Sequence, residues 1–237
     1  MKAIFFSDAH LLHNNPDRTR IVKRFIQEVS KDADIVFILG DLFEFYHGYK
    51  EYIYPFFREI VDVLRDVAAR KRVYFIEGNH EFHMGKYFES YTGISCVQSL
   101  AVQLDEKKIF LSHGDEVSSL LMRKILKSRF IYSVMDFLGP DLTWKVAMEC
   151  RSFLSKKHKP YNKRVRDAFR RYGKSKLEEG YDAVIVAHSH MPDIREYEED
   201  GKKKTYMNTG DIIASFSYGS YITGKGFTLK TYDRRVK

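Results

Sequence analysis

Cysteine is scarce in this sequence, and the two that occur, Cys96 and Cys150, lie far apart in the chain. Their separation fits neither the closely spaced thiols of a zinc site nor a framework of disulfides. The sequence therefore argues against a disulfide-stapled secreted module. It favours buried or incidental thiols in a reducing compartment.

Long apolar runs and repeats are missing as well. No stretch approaches the roughly 18 apolar residues of a membrane span, and the first residues enter a short strand rather than a signal peptide. We therefore expect a cytoplasmic protein. No internal repeat or low-complexity linker divides the 237 residues. A single domain over residues 1–237, carrying one insertion, accounts for this length.

Charge is unevenly distributed along the chain. The net charge of +8 indicates an anionic partner, which can be a nucleic acid, a phosphorylated small molecule or an anionic membrane surface. Residues 122–174 contain fifteen Lys or Arg and only four Asp or Glu, a net charge of +11, which leaves −3 for the remainder. The anionic partner is thus expected to meet this segment.

The sequence does contain short apolar runs that end in polar side chains. The clearest is Ile35–Leu39, which reads as a strand buried on both faces and is followed by Gly40 and Asp41. In open α/β sheets, ligands collect at the carboxyl ends of the strands. Four more strand-like runs end in the same way, and they are followed by Asp8 and His10, by Asn79 and His80, by His113, and by His188 and His190.

Such a set of imidazole, carboxylate and amide groups predicts a site for two divalent metal ions. These donors suit Mn, Fe, Zn or Ni, of which we expect Mn. One carboxylate can bridge two ions, and Asp41 is the natural candidate. Two ions can lower the pKa of a shared water and neutralise the oxygens of a phosphorus centre during in-line displacement.

Helical patterns lie between the strand-like runs and indicate an α/β fold. A helix is predicted from Pro16, where apolar residues fall on one stripe, and a second from about 51 to 69. Shorter β patterns follow at about 96–104 and 108–112, and the period is helical again from about 117 to 180. The tail after His190 is expected to form a second sheet of antiparallel strands.

The order Asp-x-His, Gly-Asp, Gly-Asn-His-Glu, His-Gly-Asp and His-x-His resembles the calcineurin-like metallophosphoesterase superfamily over about residues 1–190. The resemblance implies a four-layer αββα sandwich with a helical lid insertion. It also implies that His80 donates to the substrate phosphate or to the leaving group. The implied ligands of one ion are Asp8, His10, Asp41 and His190, and those of the other are Asp41, Asn79, His113 and His188.

Within the superfamily, the run Gly40–Phe45, the chain length and a helical insertion at about 118–175 resemble the UDP-2,3-diacylglucosamine pyrophosphatases of lipid A biosynthesis. The resemblance implies hydrolysis of this lipid-linked nucleotide sugar to UMP and 2,3-diacylglucosamine 1-phosphate (lipid X), with peripheral association at the cytoplasmic face of the inner membrane. Those enzymes usually have arginine where His80 stands. They usually have Gly-Asp-Asp where this sequence has Gly48-Tyr49-Lys50, and Gly-His-Thr-His where it has Ala187-His188-Ser189-His190.

The insertion leaves three functions open. Its basic and apolar residues suit a lipid-linked substrate, with Arg151, Ser155 and Lys159 stacked four residues apart to meet a diphosphate. An equally simple interpretation is a lid with its own small core and a solvated basic rim. His80 instead favours a broader phosphodiesterase or phosphatase, in which an alkoxide leaving group needs a proton.

The third function is a nucleic-acid-binding protein with a vestigial metal site, which the complete ligand set argues against, so no stable nucleic-acid partner is expected. Four histidines match no motif position and are interpreted as surface or structural residues. They are His13, His47, His83 and His158.

Overall fold

A computed structural model of the protein describes residues 1–118, 124–125, 127–154, 162–199 and 201–234. Two sheets face each other, and helices cover the outer face of each, so the chain forms the predicted four-layer αββα sandwich. None of the helices in these ranges is both long and apolar enough to cross a bilayer.

The first sheet has six strands in the spatial order β13-β12-β1-β2-β4-β6. Four of them, β1, β2, β4 and β6, run parallel, while β12 pairs antiparallel with β1 and β13 with β12. The parallel part arises from helical crossovers that bring each strand back beside the last. The strand bounds are β1 Lys2–Phe6, β2 Ile35–Ile38, β4 Arg72–Ile76, β6 Ser95–Val97, β12 Ser217–Ile222 and β13 Gly226–Thr231.

The second sheet has five strands in the order β10-β11-β9-β8-β7. Its centre is parallel, because β9 pairs in parallel with both β8 and β11, and its two edge strands are antiparallel. A short parallel pair, β3 Tyr46–His47 with β5 Glu81–His83, stands apart. The bounds in the second sheet are β7 Ser99–Leu104, β8 Lys107–Ser112, β9 Ala183–Val186, β10 Asp193–Glu199 and β11 Lys202–Asn208.

The prediction for the tail is therefore wrong in two respects. The second sheet is mixed, and the tail divides between the sheets, since β10 and β11 join the second whereas β12 and β13 extend the first. The single β pattern at 96–104 likewise splits, with β6 in the first sheet and β7 in the second. Periodicity identifies a strand but carries no information about its partner, which is why both errors concern sheet membership.

Helices α1 Pro16–Ser30, α2 Arg58–Ala68 and α3 Gly85–Thr92 belong to the layer on the first sheet. Along β1, Ile4 and Phe6 face these helices, while Ala3 and Phe5 face the second sheet. The second helix begins at Arg58, later than the predicted residue 51, because Pro55 starts a short 3₁₀ turn before it.

The predicted insertion contains two described helices with different surroundings. Helix α4, Arg129–Leu154, is interrupted at Gly139 and Pro140, where Gly139 has φ 74° and ψ 170°. Helix α5, Lys163–Glu178, packs through Phe169 and Leu177 on the outer face of the second sheet and so supplies the fourth layer. Both helices of the segment predicted as a lid reach strand ends, since Arg151 of α4 pairs with Glu44 after β2 and Phe169 of α5 stacks on His188 after β9.

Candidate metal centre

Five parallel strands deliver the candidate ligands to one edge of the sandwich. Strands β1, β2 and β4 of the first sheet and β8 and β9 of the second all end there. Three overlapping groups place their ligand atoms within 4.8 Å of one another: Asp8, His10 and His190; His10, Asp41 and His80; and Asp41, His113 and His188. Asn79 joins them through Oδ1, which lies 3.1 Å from His113 Nε2.

Asp41 is the geometric centre of this cluster. Its Oδ2 lies 3.7 Å from His10 Nε2, 3.3 Å from His113 Nε2 and 3.9 Å from His80 Nε2. Its Oδ1 accepts a hydrogen bond from the backbone N–H of His80 at 2.9 Å. Asp41 thus belongs to two of the three groups, one with His10 and one with His113, and a carboxylate in such a place can bridge two ions.

The backbone at the ligands is unusual. Among the described residues, seven non-glycine residues have positive φ, and five of them are candidate ligands: Asp8, His10, Asp41, His188 and His190. This left-handed conformation costs on the order of 1–3 kcal/mol per residue and tends to cluster at functional sites. The sharp turns aim side chains from both sheets into one small volume.

Two glycines let the loops after β2 and β4 approach closely. Gly40 has φ +83°, and a Cβ there would lie 2.6 Å from the backbone nitrogen of Gly78. A Cβ on Gly78 would lie 2.1 Å from Asp41 Oδ1. Any larger residue at either position would separate the loops and with them the ligands that each loop carries.

The charged groups of the cluster shift one another's pKa values. Burial alone would raise the pKa of Asp41, but the charges of His113 and His80 hold it well below its usual range. Burial alone would lower the pKa of His113, but Asp41 raises it to about 10. Burial and the neighbouring charge of His113 lower the pKa of His188 to about 4. The carboxylate of Asp41 is thus ionised and available to a cation across the physiological range.

The donor set fits divalent metal ions. Asp8 Oδ1 and His10 Nε2 are buried polar atoms without a hydrogen-bond partner among the described residues, and they lie 3.6 Å apart. Leaving such atoms unsatisfied costs about 1–3 kcal/mol each, and a cation between carboxylate and imidazole donors removes that cost. Mixed nitrogen and oxygen ligands are those preferred by the first-row transition metals.

Two further carboxylates, for which no role was predicted, contact the candidate ligands or their backbone. Asp211 Oδ2 lies 3.6 Å from His190 Nδ1, while its Oδ1 accepts backbone N–H bonds from residues 213–215. Glu81 accepts the backbone N–H of Asp41 at 2.8 Å and that of Gly78 at 2.9 Å, which joins the two loops. Burial and the charge of Asp41 raise the pKa of Glu81 to about 7.

Asp211 could have been recognised as a candidate from the sequence. Gly210 and Asp211 follow the strand-like run that becomes β11, just as Gly40 and Asp41 follow β2. The proximity of Asp211 to His190 depends on the pairing of β11 with β9, which local sequence does not specify. Glu81 was part of the Gly-Asn-His-Glu motif, yet nothing local indicated that it reaches Asp41.

The structure describes some of the other predicted residues and not the rest. Arg151 does not point at the metal ligands but pairs through Nε with Glu44 Oε1. Ser155, Lys159 and the off-motif His158 lie outside the described residues.

The remaining off-motif histidines all contact α4. His13 packs edge-on against Trp144, His47 Nε2 lies 2.9 Å from Asp136 Oδ1, and His83 stacks on Tyr132. Their surroundings are those of structural residues that hold the helix in place.

Comparison with known proteins agrees with this geometry. The family model for calcineurin-like phosphoesterases matches residues 1–192. A protein named UDP-2,3-diacylglucosamine hydrolase from Coxiella burnetii (strain RSA 331 / Henzerling II) is 30% identical over 237 residues, covering 97% of each chain. A protein of the same name from Aeromonas salmonicida (strain A449) is 29% identical, covering 89% of this chain and 86% of its own.

A solved archaeal phosphodiesterase superposes with a TM-score of 0.52 at 14% identity, covering 98% of this chain and 100% of its own, which supports the fold alone. The family match runs from the first residue past His190 and so includes every strand end of the cluster. The chain therefore belongs to the calcineurin-like phosphoesterase family and is a metal-dependent hydrolase.

Proposed function

We propose that the protein hydrolyses the pyrophosphate bond of UDP-2,3-diacylglucosamine to give UMP and 2,3-diacylglucosamine 1-phosphate. The observation that carries the proposal is the similarity to proteins named for this hydrolysis, which extends over 97% of the chain and so includes the insertion. Similarity confined to the metal ligands would have supported phosphoester hydrolysis in general.

Two divalent ions, with Mn as the expected metal, would be held by the strand-end cluster. Asp8, His10, Asp41 and His190 would hold one ion, and Asp41, Asn79, His113 and His188 the other. When bound, such ions supply an activated water and neutralise charge at phosphorus. The protein contributes the rigid turns that fix the donors, and its buried Asp41 carboxylate is shared by both positions.

His80 is proposed to face the phosphate of the substrate. Its Nδ1 donates to the backbone carbonyl of Glu44 at 2.6 Å, so Nε2 points toward Asp41 and the interior of the cluster. There His80 can contact a phosphate oxygen, and together with Asn79 and Arg151 it forms the proposed contact surface for the diphosphate. Ser155 and Lys159 remain candidates for the same surface.

Helix α4 carries side chains suited to a lipid. Phe130 is 74% exposed and Phe137 90% exposed, and Val134 lies between them on the same stripe. Large apolar side chains exposed beside a basic segment are typical of proteins that meet anionic bilayers. These features support acyl-chain binding and peripheral association with the anionic inner-membrane surface from the cytoplasmic side. No stable nucleic-acid partner is proposed.

A broader phosphodiesterase is the second candidate, and His80 favours it. A histidine whose Nε2 faces the cluster can donate a proton to an alkoxide leaving group, which a sugar phosphate leaving group needs much less.

A substrate panel distinguishes the two functions. The test compares kcat/KM for UDP-2,3-diacylglucosamine, its deacylated counterpart, an aryl phosphodiester and an aryl phosphomonoester. Burial of four acyl carbons contributes about 3 kcal/mol, so the diacylated substrate should exceed the deacylated one by roughly two decades. Equal turnover of the two would contradict the lipid-linked substrate and favour the broader phosphodiesterase.

A further inference from the structure

The side chain of Glu44 lies between the metal centre and helix α4. It follows Asp41 in the loop after β2, and its side chain is only 7% exposed. Its two carboxylate oxygens face different partners: Oε2 lies 3.3 Å from His10 Nδ1, whereas Oε1 pairs with Arg151 Nε. The side chain of Glu44 therefore contacts both a candidate metal ligand, His10, and a residue of the insertion, Arg151.

The contact with His10 bears on which ring nitrogen is free. When Nδ1 donates to Glu44, Nε2 carries the lone pair, and Nε2 is the atom that faces Asp8 at 3.6 Å and Asp41 at 3.7 Å. Carboxylates that accept from the distal nitrogen of a metal-binding histidine fix its tautomer and raise its basicity. The backbone carbonyl of Glu44 also accepts from Nδ1 of His80, which turns Nε2 of that ring toward Asp41.

The contact with Arg151 explains how a buried carboxylate is tolerated there. A carboxylate removed from water requires charge-assisted hydrogen bonds, and Arg151 provides one from the last turns of α4. The same half of α4 is anchored by Trp144, which is 8% exposed and packs on Phe56 with ring centroids 4.5 Å apart. Arg151 is thus brought to Glu44 by a well-packed helix.

We propose that Glu44 is a positioning residue that couples the metal centre to the insertion: one carboxylate oxygen orients His10 toward the ion, and the other holds Arg151 and with it the end of α4 over the site. The proposal rests on the proposed function in that it takes His10 as a metal ligand. A purely structural Glu44–Arg151 ion pair would affect unfolding but not the affinity for metal.

The test is isothermal titration of the chelator-treated full chain with Mn²⁺. Glu44→Gln keeps the shape of the side chain but removes its charge, and we expect its Kd for Mn²⁺ to rise about 10- to 100-fold, the effect typical of such supporting groups. Glu51→Gln, an exposed glutamate in a nearby loop, is the matched control and should stay within about twofold of wild type.

Coupling to the insertion is tested by Arg151→Gln and by the double variant. Arg151→Gln should raise the Kd about threefold or more, and the double variant should bind no more weakly than Glu44→Gln alone, because both changes interrupt one chain of contacts. If Glu44→Gln does not fold by circular dichroism, Glu44→Asp replaces it, with an expected rise of about fivefold or more.

The possible outcomes test the metal centre, the positioning role of Glu44 and the coupling to the insertion separately. Wild-type protein that takes up no Mn²⁺ would contradict the proposed metal centre itself. Wild-type binding with unchanged affinity in folded Glu44→Gln would overturn the positioning role while leaving the proposed function intact. Additive effects of Glu44→Gln and Arg151→Gln, or no effect of the latter, would overturn the coupling between the two regions.

Discussion

The strand-end cluster and helix α4 reverse the usual distribution of side chains in opposite ways. In the cluster, charged and polar groups such as Asp8 and His113 are fully buried. On α4, large apolar groups such as Phe130 and Phe137 are exposed. Each reversal costs free energy in the isolated protein, and a different class of partner would relieve each: cations for the first and an apolar ligand or surface for the second.

The largest effect is expected where the cluster loses its shared carboxylate. Asp41→Ala should lower kcat/KM on the order of 10⁴-fold, because several kcal/mol of charge stabilisation depend on both metal positions. Activity with added Mn²⁺ and metal content by elemental analysis would be measured together. Asp66→Ala, which removes an exposed carboxylate on α2, should change neither. Full metal content and activity in Asp41→Ala would contradict the bridging role.

The next effect concerns the buried side of α4. Trp144→Ala should lower the free energy of unfolding by about 3 kcal/mol, since the indole packs on Phe56 and Tyr54 inside the core. Phe137→Ala removes an aromatic ring from the same helix where it is 90% exposed, and should cost less than about 0.5 kcal/mol. Denaturant unfolding compares the pair directly. Equal losses would mean that the exposed stripe contributes to folding rather than to binding.

His80 lies beside Asp41 in the cluster, and a smaller loss is expected there. His80→Ala should lower kcat/KM about 100-fold on activated and unactivated diesters alike, because for a pyrophosphate we assign it charge stabilisation. His80→Arg should restore much of the loss. A deficit confined to substrates with poor leaving groups would instead identify His80 as a proton donor.

The smallest effect is expected at the exposed stripe. The double variant Phe130→Ser, Phe137→Ser should weaken binding to vesicles that contain anionic phospholipid by about 10-fold or more, since each ring contributes about 1.5–3 kcal/mol when fully buried. Its unfolding free energy and its turnover of an aryl phosphodiester should match wild type. Co-sedimentation with vesicles measures the first quantity, and undiminished binding would exclude this stripe as the lipid contact.

The sequence predicted the features that depend on local signals and not those that depend on contacts between distant residues. Candidate ligands such as Asp41 and His113 followed from local signals, because an apolar run that ends in a polar cluster marks a strand end wherever the strand lies. Sheet membership did not, as β6 and β7 demonstrate, since pairing depends on residues distant in the chain. Supporting residues such as Glu44 and Asp211 were missed because their partners meet them only in three dimensions.

The insertion was the hardest segment to predict. Its helical period and its basic charge were evident, but the period could not distinguish α5, whose apolar face covers the second sheet, from α4, whose Phe130 and Phe137 are exposed. Burial of Phe169 and Leu177 in α5 separates them, and burial depends on which face meets a sheet. A sequence pattern predicts that a face is apolar but not what covers it.

The pairing of β1 with β12 has a consequence for the order in which the molecule is made. Strand β1 is synthesised long before β12, so one of its two edges stays uncovered until Ser217–Ile222 has been added to the chain. Until then that edge presents unpaired N–H and C=O groups, a template on which nascent chains can associate. The first sheet is therefore incomplete until β12 has been synthesised, and chains truncated before Ser217 should accumulate as aggregates rather than as partly active enzyme.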